Sequence, residues 1–372
     1  MTLNSALIWV ARVTLAVLVI ATLLPQIRTG YWIVRVCDFP RMQLLFLLFV
    51  PLLATVAHAW TTRSFRREHW ILLVGVVATA CWQAAHALPF TPLWPKELAD
   101  SSGQPNLRVM VANIEFDNTQ YDAVSQVIQE YDPEVLLLVE INSDWRTALG
   151  SLREAYPYHI EAIRDEGLGL ALWSKIPVQR EEVEYLVTER RPSIFATVVL
   201  PDGAPIRFAG VHPTPPGLDD ETQGGRRDSR VRDAELVLVA KEVQADPDSA
   251  WVVTGDFNDV AWSHTTRLFK RLSGLRDPRV GRKLLNTYHA DYPLLRYPID
   301  HVFLSKGSTV ERLQRVSLPG SDHFAILADV YVTGHPKPDP SSPSDRSEAK
   351  EIVEEGEHDA DKRDLETQQE EN

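Results

Sequence analysis

Three stretches in the first 88 residues leave this chain little conformational choice. Residues 5–24 (SALIWVARVTLAVLVIATLL), 42–60 (MQLLFLLFVPLLATVAHAW) and 70–88 (WILLVGVVATACWQAAHAL) are almost unbroken apolar sequence. A bilayer core is spanned by about 20 helical residues, and a backbone in hydrocarbon must satisfy its own hydrogen bonds, so stretches of this length and composition are expected to be membrane-crossing helices. Arg12 stands near one end of the first span, where it can snorkel to the headgroups. Trp9, Tyr31, Trp32, Trp60 and Trp70 sit at or near segment ends, as an interfacial belt requires. Two further spans follow the first at once and no basic stretch precedes it, which argues against a cleaved signal peptide. Residues 1–95 are therefore read as a membrane anchor with the lipid bilayer as partner. Arg63, Arg66 and Arg67 crowd the loop 61–69 and mark it as cytoplasmic, although the opposing loop 25–41 carries Arg28, Arg35 and Arg41 beside Asp38. The expected localisation is a bacterial-type plasma membrane, with the carboxyl-terminal part outside the cytoplasm.

The formal charge of −13 would argue against a nucleic-acid partner, but it is unevenly spread. Residues 333–372 hold thirteen acids against five bases and almost no large apolar residues. That composition predicts a disordered acidic tail over 334–372, opened by the Pro/Ser-rich GHPKPDPSSPSD. Pro89, Pro92 and Pro95, followed by ADSSGQP, read as a linker at 96–105. Only Cys37 and Cys81 are present, both in the apolar zone, which excludes a disulfide framework or a cysteine metal site.

Between these zones, 106–333 alternates short apolar runs with helical periodicity. Strands are expected at 107–114, 134–141, 168–174, 193–200, 206–212, 250–257, 299–305 and 324–332, and helices at 121–132, 228–245 and 263–273. Eight to ten strands do not fit one short sheet, so two packed sheets with helices outside are predicted. Chemistry-bearing residues gather at the ends of these apolar runs: Asn113, Glu140, His212, Asp256 with Asn258, Asp300 with His301, and Asp322 with His323. Singly, each has a plain reading: Asn113 and Asp259 as turn residues, Glu140 as a solvent-facing terminus, His301 as a structural side chain facing away from Asp300. Jointly they imply one shared mouth.

The motifs VANIEF, LLLVEIN, GVHPTPP, VVTGDFND, PIDHVFLS and SDHFAI, in this order, resemble those of the endonuclease/exonuclease/phosphatase superfamily of divalent-metal phosphoesterases. With the anchor, the layout resembles its membrane-anchored bacterial members. The resemblance implies a four-layer α/β sandwich over 106–333. It implies that Asn113, Glu140 and Asp322 lie at the metal and that His212 faces the phosphate. Asp256 and Asn258 would position and activate water, and Asp300 would orient His323. A cluster of carboxylates would repel a phosphate unless a cation compensates, and hard oxygen ligands suit Mg2+ or Mn2+. The resemblance leaves one gap: a carboxylate partner for His212 is not evident, since Asp165 and Glu166 precede the expected strand. Arg226, Arg227 and Arg230, with Arg232, follow the His212 loop and are candidates for binding a polyanion; a solvated helix face is the alternative. The expected function is hydrolysis of a phosphate ester or phosphodiester, with a lipid-linked or headgroup phosphate as favoured substrate. A tethered nuclease and a catalytically silent binding protein are the alternatives.

Overall fold

In the computed structural model, which describes residues 2–101, 103–216, 228–333, 339 and 341–370, the apolar segments are helices. They are α1 (Leu3–Leu23), the short α2 (Trp32–Arg35), α3 (Arg41–Leu47), α4 (Phe49–Thr61) and α5 (Arg67–Ala87). Three continuous helical stretches, Leu3–Gln26, Arg41–Thr61 and Arg67–Phe90, are long and apolar enough to cross a membrane. Pro51 does not break the second one. The helix restarts after Leu48, so Pro51 falls in the first turn of α4, where no backbone N–H is needed. Leu15, Leu18, Leu44, Leu48 and Leu72 pack where the three stretches meet.

The remainder builds two sheets from β1 (Ala99–Asp100), β2 (Leu107–Asn113), β3 (Val135–Val139), β4 (Tyr158–Ala162), β5 (Leu170–Ser174), β6 (Val178–Glu184), β7 (Ser193–Val199), β8 (Pro205–Val211), β9 (Ala250–Asp256), β10 (Asp300–Leu304), β11 (Thr309–Ser317) and β12 (Phe324–Tyr331). The first sheet runs β1-β11-β12-β2-β3-β5-β4 and the second β10-β9-β8-β7-β6. Val109, Leu137, Phe208, Val252 and Ile326 belong to the core that joins them. On the outer face of the first sheet lie α6 (Tyr121–Tyr131), α7 (Ser143–Ala148) and α8 (Gly150–Arg153); on that of the second lie α9 (Arg230–Ala245), α10 (His264–Ser273) and α11 (Pro343–Glu370). This is the four-layer α/β sandwich expected.

Two expectations are corrected. The acidic tail is not a disordered appendage: α11 lays Ala349 and Val353 into the cluster formed by α9 and α10. Nor is 96–105 a free tether, because Leu98 is buried in the core and β1 already pairs with β11.

Candidate active site

Parallel pairing fixes where the first ligands meet. β2 runs parallel to β3, and β8 parallel to β9, so their carboxyl ends share one edge of the sandwich. Asn113, Glu140, His212 and Asp256 stand at that edge. β10 and β12 run the opposite way, so residues that begin or precede them arrive at the same edge. Asp300 pairs directly with Asp256, and His323 immediately precedes β12. Gly255 makes the β9 end possible: its φ is +152°, and a Cβ there would lie 1.8 Å from the Val211 carbonyl oxygen.

Glu115, Asp117, Glu140, Arg191, His212, Asp256, Asn258, Asp322 and His323 line one pocket. Asn113 donates its amide to Glu140 Oε1 at 3.0 Å and to Asp256 Oδ2 at 3.2 Å, tying the two sheets together. His323 Nδ1 is 2.9 Å from Asp300 Oδ2, and its Nε2 is 3.6 Å from Asp256 and 3.8 Å from Asp322. Burial alone would lower the pKa of His323, but Asp300, Asp256 and Asp322 push it up to about 10, so this ring is a cation at neutral pH. Burial, reinforced by Asp300, raises Asp256 to about 7. Burial also raises Glu140, and burial with Asp322 raises Glu115 to about 7. His212 is the opposite case: burial first, then Arg191, hold it well below the ordinary histidine value, and it is neutral.

Raised carboxylates in a buried, oxygen-rich cluster signal negative charge without compensation. Asp256, Asp300 and His323 place ligand atoms within 4.8 Å of one another. Carboxylates gathered in this way, with the Asn113 amide beside Glu140 and Asp256, are the kind of oxygen donors that suit a hard divalent cation.

Several placements differ from the sequence reading. Asn258, expected to position and activate water, is instead turned back from the end of β9. Asn258 has φ +51° and donates its side-chain amide to the Pro213 carbonyl at 2.9 Å, which fixes the His212 loop. Neither Asp165 nor Glu166 partners His212; Glu166 faces Arg190 at 3.5 Å, while Arg191 Nη1 lies 3.3 Å from His212 Nδ1 and Glu140 Oε1 lies 4.0 Å from Nε2. Arg230, a substrate-binding candidate, is not among the residues lining this pocket. It is engaged by Asp228 and by Glu355 and Asp359 of α11, because α11 covers the start of α9. Arg232 is buried with Asp233 and Asp259. Arg226 and Arg227 lie outside the described residues. His301 turns away from the pocket, contacting Arg279 and the Asp259 carbonyl. The sequence reading did not single out Glu115, Arg191 or Tyr288. Glu115, two residues beyond Asn113 in VANIEF, was the most accessible of these; nothing in the sequence pattern marks Tyr288, whose ring packs 4.9 Å from that of His323.

The Endonuclease/Exonuclease/phosphatase family model matches residues 110–323. No curated protein matches the sequence. Among solved structures, an endonuclease/exonuclease/phosphatase from Beutenbergia cavernae is 20% identical, covering 62% of this chain and 72% of that one with a TM-score of 0.49. One from Bacteroides vulgatus is 17% identical (61% and 99% covered, TM-score 0.49). The human Nocturnin catalytic domain with bound sulfate is also 17% identical (63% and 97% covered, TM-score 0.48).

Proposed function

Because the chain belongs to the endonuclease/exonuclease/phosphatase family, whose members are metal-dependent hydrolases of phosphoester bonds, we propose that it is a membrane-anchored, Mg2+- or Mn2+-dependent phosphoesterase. Its favoured substrate is a lipid-linked or headgroup phosphate at the outer surface of a bacterial-type plasma membrane. One observation carries the substrate class. Gln43, in the first turn of the second apolar stretch, donates to the Leu294 carbonyl at 2.7 Å. The loop that begins at Tyr288, beside His323, thus reaches the level of a span, and its Tyr292, Leu294 and Leu295 are exposed. A site held there meets phosphates presented by the bilayer, and tethering raises their effective concentration.

In this reading Asn113, Glu140 and Asp322 hold the cation, with Glu115 close by. The bound metal would supply Lewis acidity to a phosphoryl oxygen and stabilise the leaving oxygen. Asp256, oriented by the Asn258 backbone N–H at 2.8 Å, positions the attacking water and accepts its proton. Water oxygen bonds to phosphorus as the ester P–O bond breaks, and the leaving oxygen takes a proton from solvent, releasing an alcohol and a phosphate product. Neutral His212 hydrogen-bonds a phosphoryl oxygen, and cationic His323, fixed by Asp300, stabilises the charge that builds in the transition state. The test is Mg2+-dependent turnover by the full chain in nanodiscs, comparing polyprenyl pyrophosphates and phospholipids with plasmid DNA. Lipid turnover without nicking is expected; nicking without lipid turnover would assign the site to a nuclease.

A further inference from the structure

One wall of the catalytic pocket comes from outside the family-matching segment. Phe39, in the loop joining the first two apolar stretches, lines the same pocket as Glu140, His212, Asp256 and His323. Its ring meets Tyr297 edge-on, with centroids 5.5 Å apart at 78°. The loop is anchored on both sides. Trp262 donates its indole N–H to the Asp38 carbonyl at 2.7 Å, and the buried Asp38 carboxylate pairs with Arg41 at 2.5 Å. Arg41 also reaches Gln83 of α5 at 3.1 Å, and Arg35 approaches Asp233 of α9 at 3.9 Å. Trp262 in turn packs on Phe90, at the end of the third stretch. Buried charged side chains are expensive unless paired, so this set holds the loop in one geometry and carries Phe39 with it.

The pocket lining therefore combines charged groups, among them Glu115, Asp117, Asp256 and His323, with the apolar surface of Phe39, Tyr288 and Ile299. Carboxylates with a cation suit the phosphate, and apolar surface suits what is esterified to it. Phe39 lies in the loop between two helical stretches long and apolar enough to cross a membrane. We propose that Phe39 is a specificity-determining residue supplied by the membrane anchor, contacting the hydrocarbon next to the scissile phosphate of a bilayer-embedded phosphoester. This rests on the lipid reading above and adds that the anchor completes the site rather than only localising it.

The test uses the full chain in nanodiscs with Mg2+ and two probes, methyl and hexadecyl 4-nitrophenyl phosphate. The parent should prefer the hexadecyl diester by kcat/KM. Phe39→Ala should lower the hexadecyl-to-methyl ratio about tenfold, the loss expected for removing contact with one or two methylenes. Phe39→Leu should restore most of it, and the exposed Phe46→Ala should leave it unchanged. A parent preference that survives in Phe39→Ala would overturn this inference and leave the lipid reading standing. No parent preference would overturn both. A second readout is independent of turnover and of the variants' folding. A hexadecyl phosphate with a diazirine beside the phosphate should label the tryptic peptide 36–41 of the parent, and labelling confined to the other helical segments of 1–95 would overturn the proposal.

Discussion

Breaking the seat of α11 should destabilise the catalytic domain, against the plain compositional reading of an inert acidic tail. Val353 is 7% exposed and Ala349 1% exposed, both in the cluster with Leu236, Val239 and Phe269. Gly356 marks the closest approach to α9: a Cβ there would sit 2.3 Å from the Ala234 Cβ and 2.8 Å from the Arg230 carbonyl oxygen. A mid-helix glycine costs about 1 kcal/mol relative to alanine, so it is tolerated where backbones must approach. Burying Val353 is worth about 2 kcal/mol, and the Ala349 methyl with the half-buried Ile352 adds about 1–2 kcal/mol. These are upper bounds, and the surface ion pairs add little. Val353→Asp or Gly356→Leu should therefore cost about 2–4 kcal/mol by undocking the helix. For a domain of this size that lowers Tm by roughly 5–15 °C. The assay is thermal unfolding of the full chain in detergent, followed by tryptophan fluorescence, with cleavage of the tail by added protease as a second readout. Deletion of 341–372 should reproduce the same Tm. A Tm identical to the parent in all three variants would refute the docked helix.

Asp256→Asn should reduce turnover by about a thousandfold or more while keeping or raising Tm, because it removes a buried carboxylate beside Asp300; activity surviving in this variant or in EDTA would refute the assigned roles. Arg279→Met strands the buried Asp277 and should cost about 3–5 kcal/mol in urea unfolding at pH 7. Arg279 holds the Asp277 pKa below its ordinary value despite burial, so the stability this pair contributes is present above the unfolded carboxylate pKa and is lost as pH falls through the folded one; the gap between parent and variant should narrow in acid, and a gap constant with pH would refute the pairing. An alkaline phosphatase fusion after residue 105 should be active if the catalytic domain is extracytoplasmic; an inactive fusion with an active cytoplasmic reporter would reverse the orientation.

The interior strands were legible because burial on both faces writes itself as a continuous apolar run, as in β3 (VLLLV) and β9. The charge-rich and very short strands were not. β6 (VQREEVE) and β11 (TVERLQRVS) alternate charge with apolar residues, and β1 has two residues only, so none carries a run to detect. Asn113, Glu140, His212, Asp256, Asp300, Asp322 and His323 were legible for a related reason: a polar residue ending or preceding an apolar run is conspicuous. Arg191 and Tyr288 lie in loops whose path depends on tertiary contacts, and a charged or aromatic loop residue is unremarkable in sequence.

The docking of the anchor was hidden by the same logic that exposed the spans. Hydropathy scores a residue by what bilayer or water would do to it, and Arg35, Asp38 and Arg41 look like ordinary loop charges setting topology. Their burial against Asp233 and Trp262 depends on partners about 200 residues away, which no local period encodes. The tail is parallel. Its charge suggested solvation, yet Glu348 contacts both His264 of α10 and Arg28 of the anchor loop, and Asp345 meets Arg271 at 2.8 Å. Arg28 and Arg35 therefore count less as free topogenic charges than their number implies, since both approach acids of the folded domain. The dense Arg63, Arg66 and Arg67 loop, at the opposite ends of the spans, keeps its weight as the orientation signal. What each arginine touches thus weights the proposal of an extracytoplasmic site, which the alkaline phosphatase fusion decides.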